Sequence, residues 1–179
     1  MYEYWLAAVK NISSHKKKAL REVYGNARQL FYIEETELLS GGIINKEEVS
    51  AIKCERDEAV LKTRYEKLTE SGIRFVPYFA QDYPEKLKEI QDPPYALYVK
   101  GSLPDENIPC AAIVGARKCT RYGEEMALLY GEVLAENGIQ IISGMARGID
   151  GAGQRGALMG EGKTFAVLGC GADVCYPRE

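Results

Sequence analysis

The sequence predicts an α/β chain: a parallel sheet built from βαβ units, preceded by a small all-helical module. Three observations carry this reading. Residues 111–114, 139–142 and 165–168 are short apolar runs that each lead into a glycine turn. They are continuous rather than alternating, the pattern of strands buried on both faces. The segments between them, 122–137 and 149–159, carry helical periodicity, and strand, turn and helix repeated in this way make a parallel sheet. Before residue 72 there are helical stretches broken by glycine and no convincing strand.

Taken in order, Ser14 is placed to cap a helix running through Val23 and ended by Gly25, and Asn26 to cap a second reaching Ile33. Thr36 and Glu37 open a third, stopped at Gly41-Gly42. Asn45, with Glu47 and Glu48 in its first turn, opens a longer helix to Glu70, stopped by Gly72. Lys16-Lys17-Lys18 is the one positive cluster of this part. A solvated helix face is the simpler reading, and a DNA-touching hairpin the other.

From residue 72 the character changes. A strand is expected over 73–79, a turn over 82–84 and one helical turn over 86–90, which Asp92-Pro93-Pro94 cannot continue. A strand over 96–99 follows, closed by Lys100-Gly101, and the loop 104–109 leads into the central sheet. The domains are therefore drawn at 1–71 and 72–179.

Of the 179 residues, 46% are hydrophobic, which suffices for a real core. No apolar run nears the roughly 18 residues of a membrane span, and the opening MYEYWLAAVK has no basic segment or cleavage site of a secretory signal. The five cysteines form no C-x-x-C pair and His15 is the sole histidine. No metal site is therefore expected, and a reducing cytoplasm is. The net charge of −3 argues against a generally basic nucleic-acid binder. Residues 1–72 hold 12 basic and 12 acidic side chains, and 115–179 hold 7 and 8. Any anion site must be local, a few cations helped by backbone N–H groups.

In a parallel sheet, ligands bind beyond the carboxyl ends of the strands. The working surface is thus expected on loops 115–123, 143–150 and 169–178. The first, Gly115-Ala-Arg117-Lys118-Cys-Thr120-Arg121-Tyr-Gly123, has neither the spacing of G-x-G-x-x-G nor a closing G-K-[ST]. It retains a glycine at the strand end, three basic side chains and a capping hydroxyl, which together suit an anion. The second repeats the arrangement with Gly144, Arg147 and Gly148, and Asp150 stands where a helix N-cap or first-turn acid belongs. The third ends in Tyr176-Pro177-Arg178, where Tyr176 could stack on a base or pack beneath its loop. No Ser/His/Asp set or carboxylate pair accompanies these groups. Arg117, Lys118, Arg121, Arg147 and Arg178 suit holding phosphates rather than breaking bonds.

These residues carry a family resemblance. IVGARKCTRYG, IISGMARGIDGAGQRGAL and KTFAVLGCGADVCYP, preceded by DYPEKLKEIQDPPYALYVKG, resemble in order and spacing the motifs of the DNA-processing protein A family, DprA or Smf. The similarity covers residues 73–179, and the helical part is similar in position to the family's small sterile-alpha-motif-like domain. The resemblance implies an extended Rossmann fold and a cytoplasmic protein that binds single-stranded DNA in natural transformation and related recombination. It further implies protection of incoming strands, loading of the RecA recombinase, a homodimer in full-length form, no cofactor and no established enzymatic activity. The DNA-associated basic positions of the family fall on Arg117 and Arg178.

Two departures stand out. Gly153-Gln154 replaces an Ala-His pair common in the family. The family's core also continues past the position of Glu179 with further strands, an Arg-Asn-Arg motif and the main dimer surface. The chain therefore reads as an amino-terminal fragment whose partial sheet is expected to expose an edge and apolar surface. The alternative reading is a Rossmann-type nucleoside-phosphate hydrolase related to the lonely-guy family. Its Pro-Gly-Gly-x-Gly-Thr signature does not occur in these 179 residues.

Overall fold

The computed structural model describes residues 1–177. The chain divides into two compact units, one over Met1–Gly101 and one from Ser102 onward. The first begins with α1 (Tyr2–Ala8), α2 (Ser14–Val23), α3 (Ala27–Tyr32), α4 (Glu35–Ser40), α5 (Lys46–Cys54) and α6 (Glu58–Glu70). A hairpin of β1 (Ile73–Pro77) and β2 (Ala96–Lys100) follows, with the short α7 (Glu85–Lys88) in its connection. The two strands pair antiparallel, from Ile73 opposite Lys100 to Pro77 opposite Ala96.

Helix starts in this unit have local causes. Asn26 Oδ1 accepts from Gln29 N at 2.9 Å, and Asn45 and Glu48 form a reciprocal capping box. The cap of α2 is Ser13 rather than Ser14: Ser13 Oγ accepts from Lys16 N at 3.3 Å, while Ser14 Oγ accepts from Tyr95 N at 3.3 Å. The single helix expected from Asn45 to Glu70 is two. Asp57 starts α6 afresh by accepting from Val60 N at 3.0 Å. In the break, the Arg56 guanidinium donates to Ile33 O at 2.7 Å and Leu30 O at 2.8 Å, satisfying the end of α3.

Trp5, Leu6, Leu20, Leu30, Leu38 and Ile52 form the buried centre, and Tyr95 from the hairpin belongs to the same core. The Tyr95 hydroxyl donates to Glu3, and the ring of Tyr4 meets Phe75 edge-on at 5.6 Å. The unit boundary therefore lies at Gly101, not at residue 71. A lone two-stranded hairpin is marginal in water, and this one is stabilised by burying its aromatic residues against the helices.

The lysine cluster is neither a solvated face nor a free basic patch. Lys16 Nζ pairs with Glu48 at 2.7 Å, and Lys18 Nζ donates to Pro93 O at 3.2 Å while lying over the Tyr78 ring. Lys17 is buried and donates to Ala7 O at 2.6 Å, at the end of α1.

The second unit contains β3 (Cys110–Ala112), α8 (Arg121–Glu136), β4 (Gln140–Ser143), α9 (Ile149–Met159) and β5 (Thr164–Ala166). The strands lie within two residues of the expected runs and pair parallel in the order β3-β4-β5. Right-handed crossovers between neighbouring strands in this order put α8 and α9 on one face of the sheet, where they pack on each other through glycines. Ala111, Ile113 and Ile141 meet that layer. The apolar runs are therefore not buried on both faces: Val114 is 65% exposed and Val167 69%. No helix among the described residues is long and apolar enough to cross a membrane.

Candidate nucleic-acid interface

Parallel register brings the ends of β3, β4 and β5 to one rim, so the three loops meet there. On the first loop, Thr120 caps α8 as expected, its Oγ1 accepting from Gly123 N at 3.1 Å. The side chains of Arg117 and Lys118 are exposed and have no carboxylate partner among the described residues. Arg121 differs. It opens α8 facing solvent and pairs with Glu125 at 2.8 Å.

The second loop is built against the first. Gly148, at φ 81°, lies so close beneath it that a Cβ there would stand 2.3 Å from Ala116 O and 2.7 Å from Arg117 O. Ile149 N donates to Ala116 O at 3.3 Å. A Cβ on Gly115 would meet the Ile149 side chain at 2.8 Å. These glycines serve close approach of backbone to backbone and of backbone to side chain. Arg147 is exposed at the tip between them.

Asp150 departs from its expected part. It lies in the first turn of α9 but does not cap it: the N-cap is Gly148, with no side-chain bond. The Asp150 carboxylate accepts instead from Gly115 N at 3.0 Å and Gly144 N at 3.1 Å. The amides of Gly115 and Gly144, read from the sequence as anion donors, are thereby already engaged. These two amides are therefore not open to an anion. The sequence signal for this role was faint: an acid two residues after Gly148, with a glycine at each strand end.

On the third loop Tyr176 is partly exposed, and Arg178 lies outside the described residues. Gln154, in the position of the family's histidine, is structural in this chain. Its amide donates to Thr164 Oγ1 and to Phe165 O, both at 3.2 Å, tying α9 to β5.

The described residues thus form a Rossmann-like layer with exposed cations at its loop tips and the Gly115 and Gly144 amides held by Asp150. The chain belongs to the DNA recombination-mediator protein A family, whose model matches residues 74–179. It is similar to the DNA processing protein DprA of Streptococcus pneumoniae, 38% identical over 130 residues, which cover 69% of this chain and 46% of that protein. It is also similar to Protein Smf of Borreliella burgdorferi, 42% identical over 100 residues, covering 56% of this chain and 32% of the relative. The X-ray structure of DprA from Streptococcus pneumoniae superposes with a TM-score of 0.78 and 29% identity, covering 99% of this chain and 60% of that one. The chain thus spans less than half the length of these two curated relatives.

Proposed function

We propose that this chain binds single-stranded DNA along the rim of its three-stranded sheet, as part of a recombination mediator that protects incoming strands and loads RecA. Arg117, Lys118 and Arg147 contact successive phosphates, with Thr120 holding the first loop. Arg121 and Arg178 extend the surface, and the Gly115, Gly144 and Gly148 backbone shapes the loops that present it. The observation that carries this reading is the pair of exposed cations, Arg117 and Lys118, without carboxylate partners among the described residues, on a loop locked to its neighbour. Membership of the recombination-mediator family supports it. Flexible strands suit such a surface because affinity comes from the backbone charge and needs no base reading. The full-length protein acts in the cytoplasm as a homodimer, by binding rather than by bond cleavage.

The hydrolase alternative fares less well, because Asp150 occupies the two strand-end amides that a nucleotide phosphate would use. Fluorescence anisotropy of labelled oligo-dT at two salt concentrations tests the proposal. Salt-dependent binding that Arg117→Ala weakens is expected. Binding indifferent to both salt and Arg117, or base release from nucleoside monophosphates, refutes it.

A further inference from the structure

The inference rests on the reading of the rim as a DNA surface and concerns what holds that rim in shape. Asp150 is only 7% exposed. Burying a carboxylate is costly unless strong donors meet it. Its donors are the amides of Gly115 and Gly144, at the ends of two different strands, and neither belongs to its own helix. A Cβ on Gly144 would lie 2.8 Å from Asp150 Oδ2, so a side chain there would push the carboxylate off its amides. Two residues before Asp150, Gly148 presses on the carbonyls of Ala116 and Arg117. The carboxylate and the glycine thus make two independent junctions between the same pair of loops.

We propose that Asp150 is a positioning residue of the DNA surface. Its carboxylate staples the first loop to the second and sets the spacing at which Arg117, Lys118 and Arg147 present themselves to successive phosphates. Asp150 touches no DNA. As an acid under a phosphate-facing surface it repels DNA, so its charge and its positioning role predict opposite signs for its removal.

Asp150→Asn separates the two. The amide keeps the shape, removes the charge, and can accept from only one of the two glycine N–H groups while its own NH₂ faces the other. Charge alone predicts tighter binding of oligo-dT. Positioning predicts roughly tenfold weaker binding with a shallower salt dependence, because fewer phosphates are neutralised together. Gly148→Ala breaks the neighbouring junction without changing charge, and the same loss is expected. In the Arg117→Ala background, Asp150→Asn is expected to cost less than in the wild type, since part of its effect runs through that side chain.

Amide hydrogen exchange reads the staple without DNA. Gly115 and Gly144 are expected to lose protection together in Asp150→Asn, while the β1–β2 hairpin is unchanged. Tighter binding by Asp150→Asn, or unaltered protection of the two glycines, overturns the proposal. If Asp150→Asn does not fold, unweakened binding by Gly148→Ala overturns it. If the wild type ignores DNA while both glycines respond together, the DNA reading and the positioning role fall with it, and the staple alone stands.

Discussion

Gly131 of α8 lies against the carbonyl of Gly153 in α9 so closely that a Cβ on Gly131 would stand 2.1 Å from that oxygen. The contact is mirrored one turn on, where a Cβ on Gly156 would stand 2.0 Å from Leu128 O. Backbone cannot yield as a flexible side chain does, so the helix pair tolerates nothing larger than hydrogen at these points.

Gly131→Ala is therefore expected to destabilise the second unit despite the roughly 1 kcal/mol that alanine gains in helix propensity. Overpacking costs about 1–3 kcal/mol in ordinary cores and more against rigid backbone. A net loss of about 2 kcal/mol or more by urea unfolding is the expected result. A neutral Gly131→Ala would show that the helices sit further apart.

The first unit should depend on its hairpin. Tyr95 lies in the helical core, with its amide on Ser14 Oγ and its hydroxyl on Glu3. A fragment of residues 1–101 is expected to unfold cooperatively, and a fragment of residues 1–71 to lack a cooperative transition. Circular dichroism melts of the two decide it. Equal cooperativity would restore the boundary at residue 71.

Lys17 supplies a pH-dependent term. Burial lowers its pKa to about 8, against an unfolded value near 10.4. Between those values the unfolded chain binds more protons than the folded one, so this term makes stability rise with pH across that window. At pH 7 that lowering makes the buried ammonium a net cost on the order of 3 kcal/mol. Lys17→Met is expected to be at least as stable at pH 7 and to lose that rise. Urea midpoints of both proteins at pH 7 and pH 10 test it. Parallel profiles would count against the buried charge.

The two arginines of the first loop should behave differently. Arg117 has no carboxylate partner among the described residues, whereas Arg121 is paired with Glu125. Arg117→Ala is expected to weaken oligo-dT binding about tenfold and to reduce the salt slope by about 0.7, the value for one single-strand phosphate contact. Arg121→Ala is expected to cost about threefold or less, since an exposed ion pair contributes roughly 0–1 kcal/mol either way. Equal losses in the two variants would mean that Glu125 releases Arg121 to DNA.

Much of the molecule was legible because its causes are local. The glycine-ended apolar runs marked the three parallel strands, and Asn26, Asn45 and Thr120 marked helix starts because each cap bonds an amide three residues away. Local reading failed where two signals compete within a few residues. Ser13 and Ser14 are both cap candidates, and only the tie from Ser14 to Tyr95 separates them. Asp57 looked like the interior of a long helix until Arg56 turned back on α3.

By itself, then, the sequence determined the α/β class, the order of strands and helices from residue 73 onward, and the placing of Arg117, Lys118 and Arg147 on strand-end loops, since periodicity and capping act over a few residues. The tertiary structure alone decided that the hairpin belongs with the helices, that the three lysines are engaged, and that Asp150 joins two loops instead of capping its own helix. Those outcomes turn on partners 6 to 92 residues away along the chain, and only packing brings such groups within bonding distance.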